Sequence, residues 1–378
     1  MMLRTLNKKW SNFITTKPGK PDKILVIVIT LLILIGIVAL FSASLSESRD
    51  AFGSLYRFFV HQVTYGLTLG LAAAFLFYIT PLRKMKKLAL PFFLFSMVLM
   101  LMVFIPGLSV SGATANRWLD IGLFTFQPSE LLKLSSILYL AALLETRYED
   151  IKQRSVLVAF TILLASIALV LISQPDFSTL VLIVIIGGII YFVAGAPWKY
   201  IAVLVIGALL VGLAMATLAS YRFERIQAFL NPRENTNERS FHVNQAEISL
   251  GSGKFVSFNF ADGLQHRRLL PEPMNDSIFA VWGDETGFVG ASFVVLLYSC
   301  LVGRILFIAS RTQDIFSRLT LVGIGSWIFL QAFINMGAML QVMPLTGISL
   351  PYISYGSSSL ITVLIASGIV LQLSRRKT

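Results

Sequence analysis

The residue with the clearest chemical potential is an acid at the edge of an apolar segment. Asp276 closes a long polar stretch and precedes the apolar residues 278–282. A carboxylate at such a boundary is a candidate general base, because partial burial raises the pKa of an acid toward neutrality. An aspartate in front of a predicted helix is also a common N-cap, so the residue types alone leave both roles open.

A pair of opposite charges forms a second candidate. Glu130 and Lys133 lie three residues apart, which places them on one face of a predicted helix near its first turn. Charged side chains are costly within a membrane unless they are paired or functional. The pair is therefore either a structural ion pair or part of a polar site, and the spacing is compatible with both.

Two further charges lie in connecting segments. Arg117 follows the polar residues 111–114. It is either part of a polar site or a surface arginine whose guanidinium reaches the lipid headgroups. Asp176 ends a Gln-Pro-Asp turn and precedes an apolar segment, so we expect it to cap the helix that begins there.

Metal and nucleotide motifs are not found in the sequence. The histidines, His61, His242 and His266, are scattered and form no metal-ligand pattern, so no metal site is predicted. The single cysteine, Cys300, lies in an apolar run and is interpreted as a packing residue. No Walker A sequence occurs, which disfavours an ATP-driven pump.

The composition indicates a membrane protein. The chain has 378 residues, of which 56% are hydrophobic and 13% charged, and its mean hydropathy is +0.78. These values exclude ordinary soluble domains. The apolar runs predict an all-α, polytopic integral membrane protein of about ten transmembrane helices. The predicted spans are Ile24 to Leu45, Phe59 to Thr80, Leu88 to Ile105, Leu131 to Leu144, Val156 to Ile172, Thr179 to Ala194, Tyr200 to Leu218, Phe288 to Ala309, Leu319 to Val342 and Ser358 to Leu373.

The positive charges predict the orientation of the spans. Lysines and arginines cluster in residues 1–23, in alternate short connections and after residue 373. By the positive-inside rule, the N-terminal segment 1–23 and the tail 374–378 are cytoplasmic, and the candidate site faces the opposite side of a bacterial cytoplasmic (inner) membrane. The net charge of +12 is thus interpreted as a topology signal, with attraction to anionic membrane lipids as a secondary effect and no nucleic-acid partner expected.

A large extracytoplasmic loop, residues 220–276, is predicted between helices 7 and 8 of a single transmembrane domain, residues 24–373. The loop carries balanced charge and many apolar residues, so we expect it to be ordered and functional. Helical spacing over residues 221–230 predicts an amphipathic helix at the membrane interface. A solvated loop is the alternative.

Several separated motifs resemble one family. They are Asn116-Arg117-Trp118-Leu119-Asp120-Ile121-Gly122, Phe126-Gln127-Pro128-Ser129-Glu130 with Lys133, Gln174-Pro175-Asp176, Leu270-Pro271-Glu272-Pro273-Met274-Asn275-Asp276 with Phe279-Ala280, Pro344-Leu345-Thr346-Gly347, Leu350-Pro351 and Ser354-Tyr355-Gly356. In this order they resemble the SEDS family (shape, elongation, division and sporulation), the peptidoglycan glycosyltransferases typified by FtsW and RodA. The resemblance runs through nearly the whole chain.

The resemblance implies a reaction and roles for the candidate residues. Members of the family are understood to polymerise lipid II, a disaccharide-pentapeptide on undecaprenyl diphosphate, outside the cytoplasmic membrane. An inverting transfer needs one carboxylate base and cations for the departing diphosphate, and no general acid. The resemblance assigns Asp276 as the base and Lys133 and Arg117 to the diphosphate. Glu130 then orients Lys133 or a divalent cation (Mg²⁺ or Mn²⁺), and Asp176, Ser354 and Tyr355 are further candidate substrate contacts.

The resemblance also implies partners and leaves alternatives. A class B penicillin-binding transpeptidase is expected as a partner, together with other division or elongation complex proteins, because a polymerase without a crosslinking domain leaves its strands unlinked. The polar N-terminus and the Pro-Leu-Thr-Gly sequence favour an FtsW-like role in division over a RodA-like role in elongation. The alternatives are a lipid II flippase or transporter, and a non-catalytic division scaffold.

Overall fold

The chain folds into a bundle of helices. The computed structural model describes residues 19–110, 117–122, 124–218, 238–257 and 270–375. The helices of these ranges are α1 (Lys23–Phe52), α2 (Arg57–Ile79), α3 (Leu82–Met102), α4 (Pro128–Thr146), α5 (Arg154–Ser173), α6 (Phe177–Val193), α7 (Trp198–Leu218), α8 (Glu238–Ser252), α9 (Ile278–Arg311), α10 (Ile315–Met339) and α11 (Ser357–Ser374). Two short strands, β1 (Leu119–Asp120) and β2 (Thr125–Phe126), pair antiparallel.

The helices are those of a polytopic membrane protein. Seven of them, α1, α2, α3, α5, α9, α10 and α11, are long and apolar enough to cross a membrane. Helix α6 and the first part of α7 are shorter but equally apolar. Large apolar side chains point outward, as at Leu169, which is 71% exposed. Each predicted span coincides with one of these helices or with α4, so the predicted all-α polytopic class is confirmed.

Several helix ends follow from their local sequence. Asp22 caps α1 by accepting a hydrogen bond from the Leu25 amide at 3.1 Å, and Asp314 caps α10 by accepting one from the Ser317 amide at 2.9 Å. Pro128 lies in the first turn of α4, where a backbone N–H would have no intrahelical acceptor. The N–H that proline lacks is therefore not needed there. These caps fix where the chain enters each helix.

The interior of the bundle consists mainly of α4, α10 and α11. Helices α2 and α11 approach each other closely, since a side chain at Gly368 would lie 2.2 Å from the Ala74 carbonyl oxygen. Small residues allow such contacts between membrane helices, where backbone proximity replaces the hydrophobic effect as the source of stability. Helix α11 in turn packs against α4, and α4 against α10. This layering places the polar first turn of α4 inside the protein.

Helix α9 differs from its prediction. It begins at Ile278, well before the predicted span at Phe288, and is interrupted at Gly287, where φ is +72° and ψ is −169°. The amide of Phe288 donates to the Lys254 carbonyl at 3.1 Å, and that of Val289 to Phe255 at 3.2 Å. The segment after α8 thus supplies the carbonyls that the broken helix lacks. Helix α8 was not predicted, and the predicted amphipathic helix at 221–230 lies outside the described residues.

The bundle has two polar ends. We call the end that holds the connections α1–α2, α3–α4, α5–α6 and α10–α11 the site end, and the opposite end the basic end. At the basic end, Arg304 pairs with Asp22 at 2.6 Å, and Lys86 pairs with Glu145 and Asp314. These pairs fasten neighbouring helices together where the chain turns.

Candidate functional site

A cavity of about 760 Å³ opens within the site end. Its walls come from the segment after α3, the first turns of α4 and α6, the segment before α9, and the segment 344–357 before α11. Predicted site residues that line it are Arg117, Glu130, Lys133, Asp176, Asp276 and Tyr355. Ser354 is not among the described residues that line it. Six residues from five separate segments therefore meet in one space.

The charged pair of α4 is deeply buried. Lys133 is 2% exposed and Glu130 6%, and the Lys133 ammonium lies 2.7 Å from Glu130 Oε1. Lys133 also donates to Gln331 Oε1 at 3.0 Å and stands over the Trp327 ring at 5.4 Å. The other oxygen, Glu130 Oε2, is buried and has no hydrogen-bond partner among the described residues. The ammonium is thus held rigidly, while its carboxylate partner retains capacity for another ligand.

The α5–α6 turn connects Arg117 to Asp176. The Arg117 guanidinium donates from Nε to the Gln174 carbonyl at 3.0 Å and from Nη2 to the Pro175 carbonyl. Asp176 Oδ1 accepts from the Thr179 amide at 3.3 Å, so the predicted cap of α6 is present. Its Oδ2 is buried without a partner within the described part of the chain. Arg117 therefore holds the turn that carries Asp176, and both residues line the cavity.

Asp276 is half-buried at the entry to α9. The N-cap position of this helix is occupied by Ser277, whose hydroxyl donates to the Pro271 carbonyl at 2.9 Å. The carboxylate of Asp276 faces Gly347, since a Cβ built at Gly347 would stand 3.5 Å from Asp276 Oδ2. Gly347 has φ of +76°, a conformation that a side chain would strain. The acid therefore lies against bare backbone on one side.

Ser354 and Tyr355 hold the loop that carries Asp276. The Ser354 hydroxyl donates to the Asn275 carbonyl at 2.7 Å, and the Tyr355 amide donates to the Met274 carbonyl at 2.9 Å. Ser354 is buried and is not among the described residues that line the cavity, and its expected role as a substrate contact stays a prediction. The Ser354 hydroxyl is used in positioning the loop.

The ring of Tyr355 reaches α2. Its hydroxyl lies 3.3 Å from Nδ1 of His61, and burial raises the pKa of this phenol above its ordinary value. His61 also lines the cavity, directly before a π-helical turn at Gln62–Leu67. Such turns widen a helix locally and often occur at functional sites. Tyr355 therefore stays neutral and can offer a hydroxyl to a polar ligand.

Comparison with known proteins identifies the family. Residues 22–378 match the family described as "Cell cycle protein", which groups FtsW, RodA and SpoVE. The chain belongs to this family. The resemblance predicted from the motifs is therefore confirmed, and it extends over almost the whole length.

Curated relatives in the FtsW/RodA/SpoVE family cover nearly all of this chain. A "Probable peptidoglycan glycosyltransferase FtsW" from Geobacter sp. (strain M18) is 33% identical over 358 residues, which cover 94% of this chain and 97% of the relative. "Stage V sporulation protein E" from Bacillus subtilis (strain 168) is 33% identical over 368 residues, covering 96% and 99%.

Solved structures of the family show the same fold. A chain from a structure titled "Structural coordination of polymerization and crosslinking by a peptidoglycan synthase complex" matches with a TM-score of 0.76 and 28% identity, covering 94% of this chain and 98% of that chain. The rod shape determining protein RodA from Thermus thermophilus matches with a TM-score of 0.69 and 28% identity, covering 94% and 97%.

Sequence reasoning missed several residues of this family member's site. Gln331 and Asn335 lie one turn apart on α10, where Gln331 holds Lys133 and Asn335 donates to the Asp276 carbonyl at 3.1 Å. A signal was present, because two amides spaced by four residues inside an apolar span point the same way from a helix. His61 was missed because a lone histidine beside an apolar run has no informative spacing.

The cavity contains two carboxylate oxygens of the type that binds divalent cations. The described residues contain no group of three or more His, Cys, Asp or Glu side chains that would form a complete metal site. The spare oxygens of Glu130 and Asp176 are nevertheless carboxylate donors, the type that Mg²⁺ prefers. Magnesium is usually bound through one or two carboxylates together with phosphate oxygens of the substrate. The donor set therefore suits a cation that arrives with a phosphorylated ligand.

Proposed function

We propose that the chain polymerises lipid II in this cavity, with Asp276 as the general base that activates the incoming sugar. The chain is a peptidoglycan glycosyltransferase, the activity by which its relatives are named. The observation that carries the proposal is that the Asp276 carboxylate and the buried Lys133 ammonium line the same cavity. A base and a fixed cation are the two groups that this transfer requires.

The reaction is a single displacement. The acceptor hydroxyl gives its proton to Asp276 while its oxygen bonds to the anomeric carbon of the donor. The bond from that carbon to the diphosphate breaks, and its electron pair leaves with undecaprenyl diphosphate. Attack from the face opposite the leaving group inverts the anomeric configuration. Since a diphosphate is already a stable anion, no general acid is needed, and one carboxylate suffices where a glycoside hydrolase uses two.

The cations stabilise the departing diphosphate. Lys133 is fixed by Glu130 and Gln331 before substrate arrives, so little reorganisation is needed as charge develops. Arg117 brings a second positive charge beside the α5–α6 turn. A bound Mg²⁺ or Mn²⁺ would add charge neutralisation at the phosphates. Glu130 and Asp176 would hold it through their spare oxygens.

The proposed orientation places the site end outside the cytoplasmic membrane and both termini inside. Its support is the clustering of lysines and arginines at the basic end. It is tested in intact cells with a membrane-impermeant maleimide, in a Cys300→Ser background. Asp120→Cys, at the site end, should be labelled, and Arg83→Cys, at the basic end, should be labelled only after lysis. The reverse pattern would contradict the orientation.

A crosslinking enzyme is the proposed partner. The solved complex that resembles this chain couples polymerization to crosslinking. We assign this chain a class B penicillin-binding transpeptidase on that basis, within a division or elongation complex, with division favoured by the FtsW-named relatives.

The proposal is tested by a polymerisation assay. The purified chain, together with its transpeptidase, is supplied with lipid II, and glycan polymer is measured by gel. Asp276→Asn should lower the rate by about 10²- to 10⁴-fold, since a general base of this kind contributes that much. Asp120→Asn is the matched control, because Asp120 is exposed at the same end outside the cavity. Normal polymerisation by Asp276→Asn would reject the assignment.

A further inference from the structure

Three consecutive backbone carbonyls of the base-bearing loop are each fixed by a different donor. The Met274 carbonyl accepts from the Tyr355 amide at 2.9 Å, and the Asn275 carbonyl from the Ser354 hydroxyl at 2.7 Å. The Asp276 carbonyl accepts from the side-chain amide of Asn335 at 3.1 Å. The first two donors come from the segment before α11, whereas the third comes from α10.

Asn335 holds two segments with one amide group. Its Nδ2 also donates to the Ile348 carbonyl at 2.9 Å, so both amide protons are used. Ile348 directly follows Gly347, the residue against which the Asp276 carboxylate lies. Asn335 is 3% exposed. Water therefore has little access to its amide and does not readily replace it as the donor to the Asp276 and Ile348 carbonyls. One side chain therefore sets the distance between the backbone of Asp276 and the backbone of Gly347 and Ile348, which the Asp276 carboxylate faces.

The same face of α10 serves the cationic half of the cavity. Gln331, one turn before Asn335, accepts from Lys133 through Oε1 and donates to the Ser349 carbonyl at 2.8 Å. Two amides on one helix thus fix the ammonium relative to the backbone that carries the Asp276 carboxylate. Because α10 is among the most buried helices of the bundle, this alignment rests on an element that does not readily move.

We propose that Asn335 is a positioning residue that sets the direction of the Asp276 carboxylate. The inference rests on the proposed role of Asp276 as the base. Asn335 lies behind the loop, so its loss is expected to leave substrate binding intact while misplacing the proton acceptor. Small displacements of a catalytic group lower the rate steeply, since transfer requires the base within hydrogen-bond reach of the hydroxyl.

The test measures kcat and KM for lipid II polymerisation with two variants. Asn335→Ala removes both donors and should lower kcat roughly 10- to 100-fold, with KM unchanged within about two-fold. Asn335→Asp keeps the shape but turns a carboxylate toward two carbonyls. At neutral pH it should be less active than Asn335→Ala. As the pH falls it should recover relative to the native chain, because a protonated acid regains one donor.

Controls separate this role from general instability. Thermal unfolding in detergent is measured for each variant, and rates are expressed per folded protein. Asp276, Glu272 and His61 also line the cavity, and the ratio to native at each pH separates the response of the new carboxylate from the pH dependence that both chains share. If Asn335→Ala does not fold, the pH response of the near-isosteric Asn335→Asp decides the matter.

The outcomes distinguish the two proposals. A native kcat for Asn335→Ala, a loss confined to KM, or an Asn335→Asp activity without acid recovery overturns the positioning role. Full activity of Asp276→Asn in the same assay would instead reject the base assignment itself. An inactive Asp276→Asn beside a fully active Asn335→Ala would leave the base in place and reject only the positioning role.

Discussion

The two polar ends of the bundle use charge in different ways. At the basic end, Arg304, Asp22 and Lys86 form pairs that are partly exposed and join helices where the chain turns. At the site end, Glu130 and Lys133 are almost completely buried. Burying charge costs several kcal/mol per ion before pairing repays any of it. Such a cost is difficult to explain by stability, because an exposed pair would serve that purpose.

The difference lies in the buried carboxylate oxygens that line the cavity. Glu130 and Asp176 each keep a buried oxygen without a partner in the described residues, and both line one cavity. Buried polar groups are normally satisfied, and an oxygen that lines a cavity can gain its partner from a ligand bound there. The comparison separates charges that join helices at the surface from charges that we propose bind substrate, and four experiments can break or sharpen it.

The largest effect is expected at Lys133. Lys133→Met leaves the Glu130 carboxylate buried without its cation, which should destabilise the protein by about 3–5 kcal/mol and abolish polymerisation. Glu130→Gln combined with Lys133→Met removes both charges and should restore most of the stability but none of the activity. Thermal unfolding and glycan synthesis are measured side by side. If the double variant polymerises normally, the pair is structural and the two ends do not differ.

A smaller effect is expected at Gly347. Gly347→Ala places a side chain on a backbone with φ of +76° and directly against Asp276 Oδ2. Backbone strain of this kind costs roughly 1–3 kcal/mol, and relief of that strain would shift the backbone that the Asp276 carboxylate faces. Activity should therefore fall more than stability does. Gly195→Ala, also at positive φ but far from the cavity, provides the control: it should lower stability and leave the specific activity native.

At the basic end, the effect should be small. Asp22→Asn keeps an N-cap side chain on α1 but removes the charge that pairs with Arg304. Partly exposed pairs contribute about 0–1 kcal/mol, so the melting temperature should fall slightly and polymerisation by the folded protein should stay native. A large loss of activity would show that the basic end takes part in function.

The pH dependence of this pair gives the smallest signal. The hydrogen bond from Arg304 holds the pKa of Asp22 below its ordinary value of 3.8, because it favours the ionised acid. The contribution of this ion pair to stability is therefore complete above pH 3.8. It is lost as the pH falls through the lower pKa that Asp22 has in the folded state. Between these two pH values, the free energy of unfolding of Asp22→Asn should fall less steeply with decreasing pH than that of the native chain. Equal slopes would mean that the ion pair contributes nothing.

Much of this architecture could be predicted from local sequence. Apolar length placed the spans, Pro128 marked the start of α4, and the turn before Asp176 indicated its cap. The motifs also singled out Asp276, Lys133 and Glu130, since charges at the edge of apolar runs are conspicuous.

The remainder depends on contacts between distant segments. Asn335 reaches the Asp276 carbonyl across 59 positions, and Arg117 reaches the Gln174 carbonyl across 57. No local pattern encodes such pairing. The bond from the Ser354 hydroxyl to a carbonyl 79 positions away could not be predicted for the same reason. The early start of α9 was missed because this part of the helix contains Glu285, whose carboxylate is buried and accepts a hydrogen bond from Ser42 of α1.

The most direct test asks whether Asp276 acts in the chemical step. Binding of lipid II is measured for the native chain and for Asp276→Asn, and a single turnover is then followed in the same samples. We predict that Asp276→Asn binds lipid II with native affinity but forms glycan bonds about 10²- to 10⁴-fold more slowly. A native single-turnover rate, or a loss explained entirely by weaker binding, would contradict the role of this carboxylate as the base.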